Sequence, residues 1–472
     1  MKIDNWEKVL DHSPYLRDAI SLLHKIENMG YEAYIVGGAP RDIILNKVSY
    51  DIDITTNCPI KELENEFDTK EIGKSKDFGI TMVIFKESTF EVAEFRSDGK
   101  YIDGRRPETV KSAKNLEEDI KRRDFTINTI ALDRSGNVID IMGGIKDLEN
   151  KLIKSVGNPL ARFNEDYVRI IRALRFGAAD GFTIDEGTSK AITLMADKTS
   201  KISPDRIRLE LVKSADKPGK IFARFITLLE DFGVLKYILP ELSYLKECPH
   251  TKDFHPEGAT VWDHVIRSVE ISNNDWISQL AILFHDVGKG QTLVFREPDN
   301  KPTYHFHAKV GGEIVSNICD RLKFSEHHKK VLMYTTENHM KWHGLLEMRP
   351  SKISRIVSSP YFNILVNVCK ADEFSRGEKF ASKEDFERKL DYAIEIKKKW
   401  GSNQNFERDN TQVKIVDGKK IMELTGLPQS KPVGEIKKEV EDYIIDNDID
   451  PSNEKILKDI IMGAFKKYKG GI

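Results

Sequence analysis

The rhythm of apolar and polar positions changes once along the chain. Residues 1–30 place apolar side chains at helical spacing and stop at Gly30, which predicts an amphipathic helix. From residue 31 to about 140, the short runs YEAYIV, YDIDIT, ITMVIF and TFEVAEF predict strands among helical and loop segments. From about 145 onward the strand rhythm nearly vanishes and helical periodicity takes over. Its breaks fall at Gly157-Asn158-Pro159, at Ser203-Pro204 and around His250–Gly258. The expected architecture is an α/β head with a small mixed sheet, followed by an all-α body.

The body subdivides by composition. Residues 146–245 carry the arginine-rich runs EDYVRIIRALRF and SPDRIRLEL, residues 250–380 carry most of the histidines, and 381–472 are lysine-rich helices. With residues 1–30 as a helical lead and 31–145 as the head, five segments are expected. Asn403–Gln412 reads as a linker. A chain of 472 residues is too long for one core, which agrees with several domains. Net charge is −2, so a nucleic-acid partner would have to be met by local basic patches rather than bulk charge. Cys58, Cys248, Cys319 and Cys369 are far apart and form no CxxC pair, as suits a reducing compartment. The start MKIDNWEKVLDHS lacks the apolar core of a signal peptide, and no apolar run would span a bilayer. The expected location is the cytoplasm.

Candidate chemistry begins in YIVGGAPRDIILNKVSYDIDITT. On a strand, Asp51 and Asp53 share a face while Ile52 and Ile54 enter the core. Two adjacent carboxylates repel unless a cation lies between them, and Mg²⁺ held by one or two carboxylates plus substrate phosphates fits. Gly37 and Gly38 before a helix would let a phosphate approach the backbone, with Pro40 in the first turn and Arg41 as a cation. A third carboxylate is expected from TFEVAEFR, where alternation leaves both Glu91 and Glu94 open.

VGGAPRD…DIDI resembles the head of the nucleotidyltransferase superfamily with a DNA polymerase beta-like palm. More narrowly, it is similar to the class II tRNA nucleotidyltransferase and bacterial poly(A) polymerase family. The resemblance implies that Gly37, Gly38 and Arg41 hold a triphosphate and that Asp51 and Asp53 bind Mg²⁺, and it favours Glu91 as the third carboxylate. Pro40 stands where valine is usual, a change expected to be harmless. KRRDFTINTIALD resembles the next motif, implying that Arg123 meets the nucleotide and that Asp124 and Asn128 meet the sugar and metal region.

Along EDYVRIIRALRF, Ile170, Ile171 and Leu174 form one helical face, and Arg169, Arg172 and Arg175 lie roughly opposite. By composition alone this is a solvated basic face. By resemblance it is the EDxxR motif, in which Asp166 and Arg169 read the incoming base and Arg172 and Arg175 lie near the phosphates. SPDRIRLEL resembles the neck's last motif, with Asp205 for a usual glutamate and a helix-positioning role. The loop from Arg96 to Val110 is expected to be mobile. Complete CCA-adding members carry such a loop.

His264, His285-Asp286, His307, His339 and Asp372 are each separated by tens of residues, with an adjacent His-Asp pair ending the apolar run LAILF. Imidazole with carboxylate suits Mn, Fe, Ni, Co or Zn, and two metals could activate water against a phosphate ester. The set resembles the HD phosphohydrolase domain. His305, His327, His328 and His343 fall outside its ligand positions.

The resemblance covers most of the chain from about residue 30. It implies a template-independent enzyme adding C, C and A to the tRNA 3′ end from CTP and ATP, with an accessory HD phosphohydrolase. Lys397, Lys398 and Lys399 are candidate tRNA contacts, although a lysine run is ordinarily a solvated face. Alternatives are a poly(A) polymerase, an A-adding or CC-adding enzyme, or an HD hydrolase with a non-catalytic head.

Overall fold

The computed structural model describes residues 1–49, 51–70, 79–98, 110–113, 115–250, 256–273, 275–377, 379–401 and 415–470. The chain divides into two compact units, Met1–Ser243 and Tyr244–Ile472. Much of the 96–110 loop and the expected linker lie outside the described residues.

In the first unit the lead is two helices rather than one. Trp6–Asp11 and Pro14–Asn28 are separated because Ser13 takes an extended conformation and its hydroxyl caps the second, accepting from the Leu16 N–H at 3.2 Å. The second helix buries Leu16, Ala19, Leu22, Leu23 and Ile26, the stripe its periodicity predicts.

The head strands are β1 (Ala33–Val36), β2 (Asp53–Thr56), β3 (Asp68–Lys70), β4 (Ile80–Phe85) and β5 (Ser88–Glu94). A ribbon of β6 (Arg96–Asp98) and β7 (Val110–Ser112) follows, then β8 (Ala131–Leu132) and β9 (Val138–Ile139). The main sheet runs β3-β4-β5-β2-β1-β8-β9 and is mixed, with β2 parallel to β5 and antiparallel to β1. Ile52 and Ile54 are fully buried, so the core side of YDIDIT is as predicted. The strand itself is shorter than predicted, because it starts at Asp53 and leaves Asp51 exposed before it.

Behind the head, Pro159–Glu165 and Val168–Gly177 are separate helices where one was expected, since Asp166 is extended at the first helix's C-cap. Helices Pro204–Ala215 and Gly219–Asp231 follow. The nearly strandless body holds two short exceptions, the parallel pair Leu152–Ile153 with Thr183–Ile184 and the hairpin Val294–Arg296 with Lys301–Thr303.

The second unit is otherwise helical. Val261–Glu270, Trp276–Phe284, His307–Arg321, Glu326–Asn338 and Phe362–Ser375 bring the histidine region together, and Lys383–Trp400 is among the helices that follow. Val416, Ile421, Ile436, Val440, Ile444 and Ile461 form a separate apolar core in the tail. Among the described residues no helix is long and apolar enough to cross a membrane.

Candidate active site

A cleft of about 510 Å³ in the first unit collects the head and neck motifs. The parallel register sets Asp53 directly beside Glu91 and Thr56 beside Glu94. Paired residues project to the same side, so Glu91 joins Asp53 and Glu94 faces away with Thr56. This resolves what alternation left open. Burial pushes the Asp53 carboxyl up to about 6, and the neighbouring Glu91 and Asp51 carboxylates add to the shift. Burial and Asp51 likewise raise Glu91. Among the described residues, the three do not bring their oxygens within 4.8 Å of one another as a set. Asp51, outside the strand, is not aligned by its pleat.

Gly37 closes the floor. Its φ is +78°, and a Cβ there would lie 2.5 Å from Asp53 Oδ2. The missing side chain is therefore what gives the carboxylate its place. The donors are hard oxygens crowded by like charge, a set that fits a divalent cation such as Mg²⁺.

The cationic wall is ordered by carboxylates. Asp124 accepts from Arg172 Nε at 2.8 Å, Asn128 Nδ2 at 2.7 Å and its neighbour Phe125 N–H at 2.9 Å. Burial disfavours its charge, but Arg172 and Asn128 more than offset this and hold it well below the usual range. Arg41 donates to Asn128 Oδ1, and Arg41, Arg172 and Arg175 lie 5.1, 5.4 and 4.4 Å from the Phe176 ring centre. Arg123 and Arg122 converge on the fully buried Asp119 at 2.9 and 2.5 Å.

The expected base-reading pair is held by partners within the protein. Arg169 is buried rather than solvated. Its Nη1 donates to Glu165 at 2.5 Å and to the Arg162 carbonyl at 2.8 Å, and its Nη2 to the Arg122 carbonyl at 3.0 Å. Asp166 instead accepts both ends of the Arg206 fork, at 2.8 and 2.6 Å. Arg206, Leu209, Glu210 and Lys213 all line the cleft from one helix. Their i, i+3, i+4, i+7 spacing was a legible signal that the sequence reading passed over.

The second unit holds the other candidate site. Two buried sets meet at Asp286, namely His264, His285, Asp286 and Asp286, His307, His339. Asp286 Oδ2 lies 3.4 Å from His285 Nε2 and 3.8 Å from His264 Nε2. Its Oδ1 lies 3.4 and 3.5 Å from His307 and His339 Nε2. Asp372 Oδ1 is 3.1 Å from His264 Nε2, so all six predicted residues are brought together. Nδ1 of His285, His307 and His339 lies 2.7 Å from the carbonyls of Ile282, Tyr304 and Thr336, which aims each Nε2 at Asp286. The buried His285 Nε2 has no hydrogen-bond partner among the described residues. Gly288 fits His307 against the His-Asp turn, since a Cβ would lie 2.0 Å from the His307 carbonyl oxygen.

Sequence reading missed Glu257, 2.8 Å from His264 Nδ1, and Lys289, whose Nζ is 2.6 Å from Asp286. Burial disfavours a charged His264, but Asp372 and Glu257 more than offset it and push the imidazole up to about 9. His343, set aside on sequence, lies 3.4 Å from Asp372. In the lysine run, Lys397 lies over the Phe362 ring and Lys399 pairs with Asp448.

A mixed sheet that joins Asp53 and Glu91 across a parallel pair, beside a glycine turn, frames the cleft of the head. Residues 33–154 match the poly A polymerase head domain, and 181–245 match a probable RNA and SrmB-binding site of polymerase A. Over residues 33–154 the chain is thus similar to that head domain.

The CCA-adding enzyme of Enterococcus faecalis is 42% identical over 197 residues, which are 42% of this chain and 48% of the relative. That of Leuconostoc citreum is 36% identical over 258 residues, 54% of this chain and 63% of the relative. The chain thus spans about half the length of the first curated relatives it matches. In fold, it resembles the Bacillus stearothermophilus CCA-adding enzyme in complex with CTP, at TM-score 0.70 and 22% identity, covering 98% of this chain and 100% of that one. The Thermotoga maritima CCA-adding enzyme complexed with tRNA gives TM-score 0.56 and 18% identity, covering 98% of each chain.

Proposed function

We propose that this chain is a template-independent tRNA nucleotidyltransferase that builds the 3′-terminal C, C and A from CTP and ATP. The observation that carries this reading is the cleft in which Asp53 and Glu91 face an arginine wall over the Gly37 turn. Relatives named as CCA-adding enzymes support it. In the reaction the tRNA 3′ oxygen bonds to the α-phosphorus, and the bond to pyrophosphate breaks. The hydroxyl proton leaves to a cleft carboxylate or water. Asp51, Asp53 and Glu91 would hold Mg²⁺, which lowers the pKa of the attacking hydroxyl and neutralises the leaving pyrophosphate. Arg41, Arg172, Arg175 and Lys213 supply positive charge to the triphosphate, and Asp124 and Asn128 keep Arg172 and Arg41 aimed. Asp166 and Arg169 would read the base, and Arg123 would meet the nucleotide.

Purified protein supplied with tRNA lacking its terminal CCA, and with CTP and ATP singly and together, tests this. Two C additions with CTP alone and a completed CCA with both are expected. A long ladder with ATP alone would indicate a poly(A) polymerase and refute the reading.

A second reading concerns the histidine centre, where three Nε2 atoms are aimed at Asp286 by their carbonyl bonds. The centre is an HD phosphohydrolase site for phosphate esters. It would hold a divalent transition metal in each of two ligand sets that share Asp286. Hydrolysis of 2′,3′-cyclic nucleotides that is lost on chelation and restored by Mn²⁺, Ni²⁺ or Co²⁺ is the expected result. No hydrolysis with any of these metals would refute it.

A further inference from the structure

We propose that Glu257, which lies outside the six ligand candidates, is the positioning residue that turns His264 toward a metal ion and makes the His264 side the tighter of two metal positions. The assignment deepens the second reading, of a two-metal HD centre, and rests on it.

His264 is oriented unlike its three companions. His285, His307 and His339 each hold Nδ1 against a backbone carbonyl at 2.7 Å. His264 Nδ1 meets side chains instead, Glu257 Oε1 at 2.8 Å and Ser375 Oγ at 3.1 Å. Ser375 commits its hydroxyl hydrogen to the Asp372 carbonyl at 2.7 Å, so toward Nδ1 its oxygen accepts. An ionised carboxylate likewise accepts. Nδ1 therefore carries the hydrogen, and Nε2 turns its lone pair to the centre. There it faces Asp372 Oδ1 at 3.1 Å and Asp286 Oδ2 at 3.8 Å. A lone pair set against two carboxylate oxygens is relieved by a cation among them, a proton or a metal ion.

Glu257 reaches this place through a tight passage. Gly258 follows it, and a Cβ there would lie 2.1 Å from Asp263 Cβ in the first turn of helix Val261–Glu270. A capping box between Thr260 and Asp263 fixes that turn. The chain thus crosses the helix start at a separation that glycine permits, and the Glu257 carboxylate comes to lie on the His264 ring. The two side chains are 4% and 1% exposed. A carboxylate so far from water is costly unless positive charge answers it. A cation bound across the imidazole is that answer.

Charge makes the two positions unequal. Asp286 offers Oδ2 to the His264 side and Oδ1 to His307 and His339. The His264 side adds Asp372 directly and Glu257 behind the ring, whereas His307 and His339 are backed by neutral carbonyls. Lys289, 2.6 Å from Asp286 Oδ2, offsets one of these charges. The balance still favours a divalent ion on the His264 side, which loads first.

The test titrates the metal-free whole chain with Ni²⁺ or Mn²⁺ against a chromophoric chelator, which reads metal affinity without any turnover. Two steps are expected. His307→Ala identifies the looser step by losing it. Glu257→Ala and Glu257→Gln are expected to weaken the tight step about 10–100-fold and to leave the loose step within about threefold.

A tight step that is unchanged in Glu257→Ala overturns the assignment. Equal weakening of both steps does so too, since that is what a merely structural residue would cause. Should Glu257→Ala not fold, Glu257→Gln decides by the same two criteria. A wild-type chain that binds neither ion refutes the HD reading and this assignment with it. A wild type that binds two ions, beside Glu257 variants that bind both as tightly, refutes this assignment alone.

Discussion

Gly37→Ala separates two things a glycine can do. At φ +78° an alanine carries a backbone cost of about 1–2 kcal/mol. Its Cβ would also lie 2.5 Å from Asp53 Oδ2, where ordinary contact begins at 3.4 Å. The carboxylate must retreat by about 0.9 Å, a displacement of the size that costs on the order of 100-fold in rate. Gly30 supplies the control, since its φ is +91° and a Cβ there meets nothing within 4 Å. Gly30→Ala should therefore carry a similar strain with no displaced carboxylate. Thermal unfolding should show both variants lowered by about 2–8 °C. Single-turnover addition of CMP to tRNA should fall about 100-fold in Gly37→Ala only. A Gly37→Ala enzyme within about threefold of wild type would show that the Asp53 position is not set by this turn.

Three further predictions probe other parts of the molecule. Glu91→Gln should abolish transfer while Glu94→Gln largely preserves it, and equal loss in both assays would contradict the register argument. Asp124→Asn removes the carboxylate that Arg172 faces inside the protein, at an expected cost of about 3–5 kcal/mol near neutral pH. Because the Asp124 carboxyl is depressed in the folded state, its contribution is present above about pH 4 and lost as the pH falls below it. The stability gap between the two proteins in denaturant melts should accordingly narrow progressively as the pH falls below about 4, and a gap independent of pH would refute the cause. Metal analysis of the second unit's centre should find that Asp286→Ala loses metal from both sets and His307→Ala from one. Equal loss in the two variants would argue against a shared ligand.

The sequence made the chemistry legible where one periodicity governs a whole element. ITMVIF became β4 without change, and Ile52 and Ile54 entered the core as alternation requires. All six HD candidates converged, because the apolar faces of their helices fix which side chains turn inward. What stayed hidden depended on partners distant in sequence. Glu91 could be chosen from Glu94 only once β5 was paired with β2 in register. The helix break at Asp166 was missed because EDYVRIIRALRF keeps an unbroken helical pattern through it. Arg206 lay in a motif given only a positioning role, and nothing in one strand of text says that it reaches Asp166, 40 residues earlier.

The arginines of the neck explain why such partners matter. Counted in the sequence, Arg169, Arg172 and Arg175 look like one cationic face awaiting a polyanion. In the structure each already faces a carboxylate, respectively Glu165, Asp124 and Glu210. A guanidinium fixed in this way cannot collapse onto its neighbours or follow a substrate out of the cleft. It holds its place with its charge partly offset, so an incoming triphosphate meets a preorganised wall rather than mobile side chains. The same carboxylates keep three arginines close together without mutual repulsion unfolding the helix, and Asp124 joins that helix to the head. Removing one of them should therefore damage nucleotide binding and folding together.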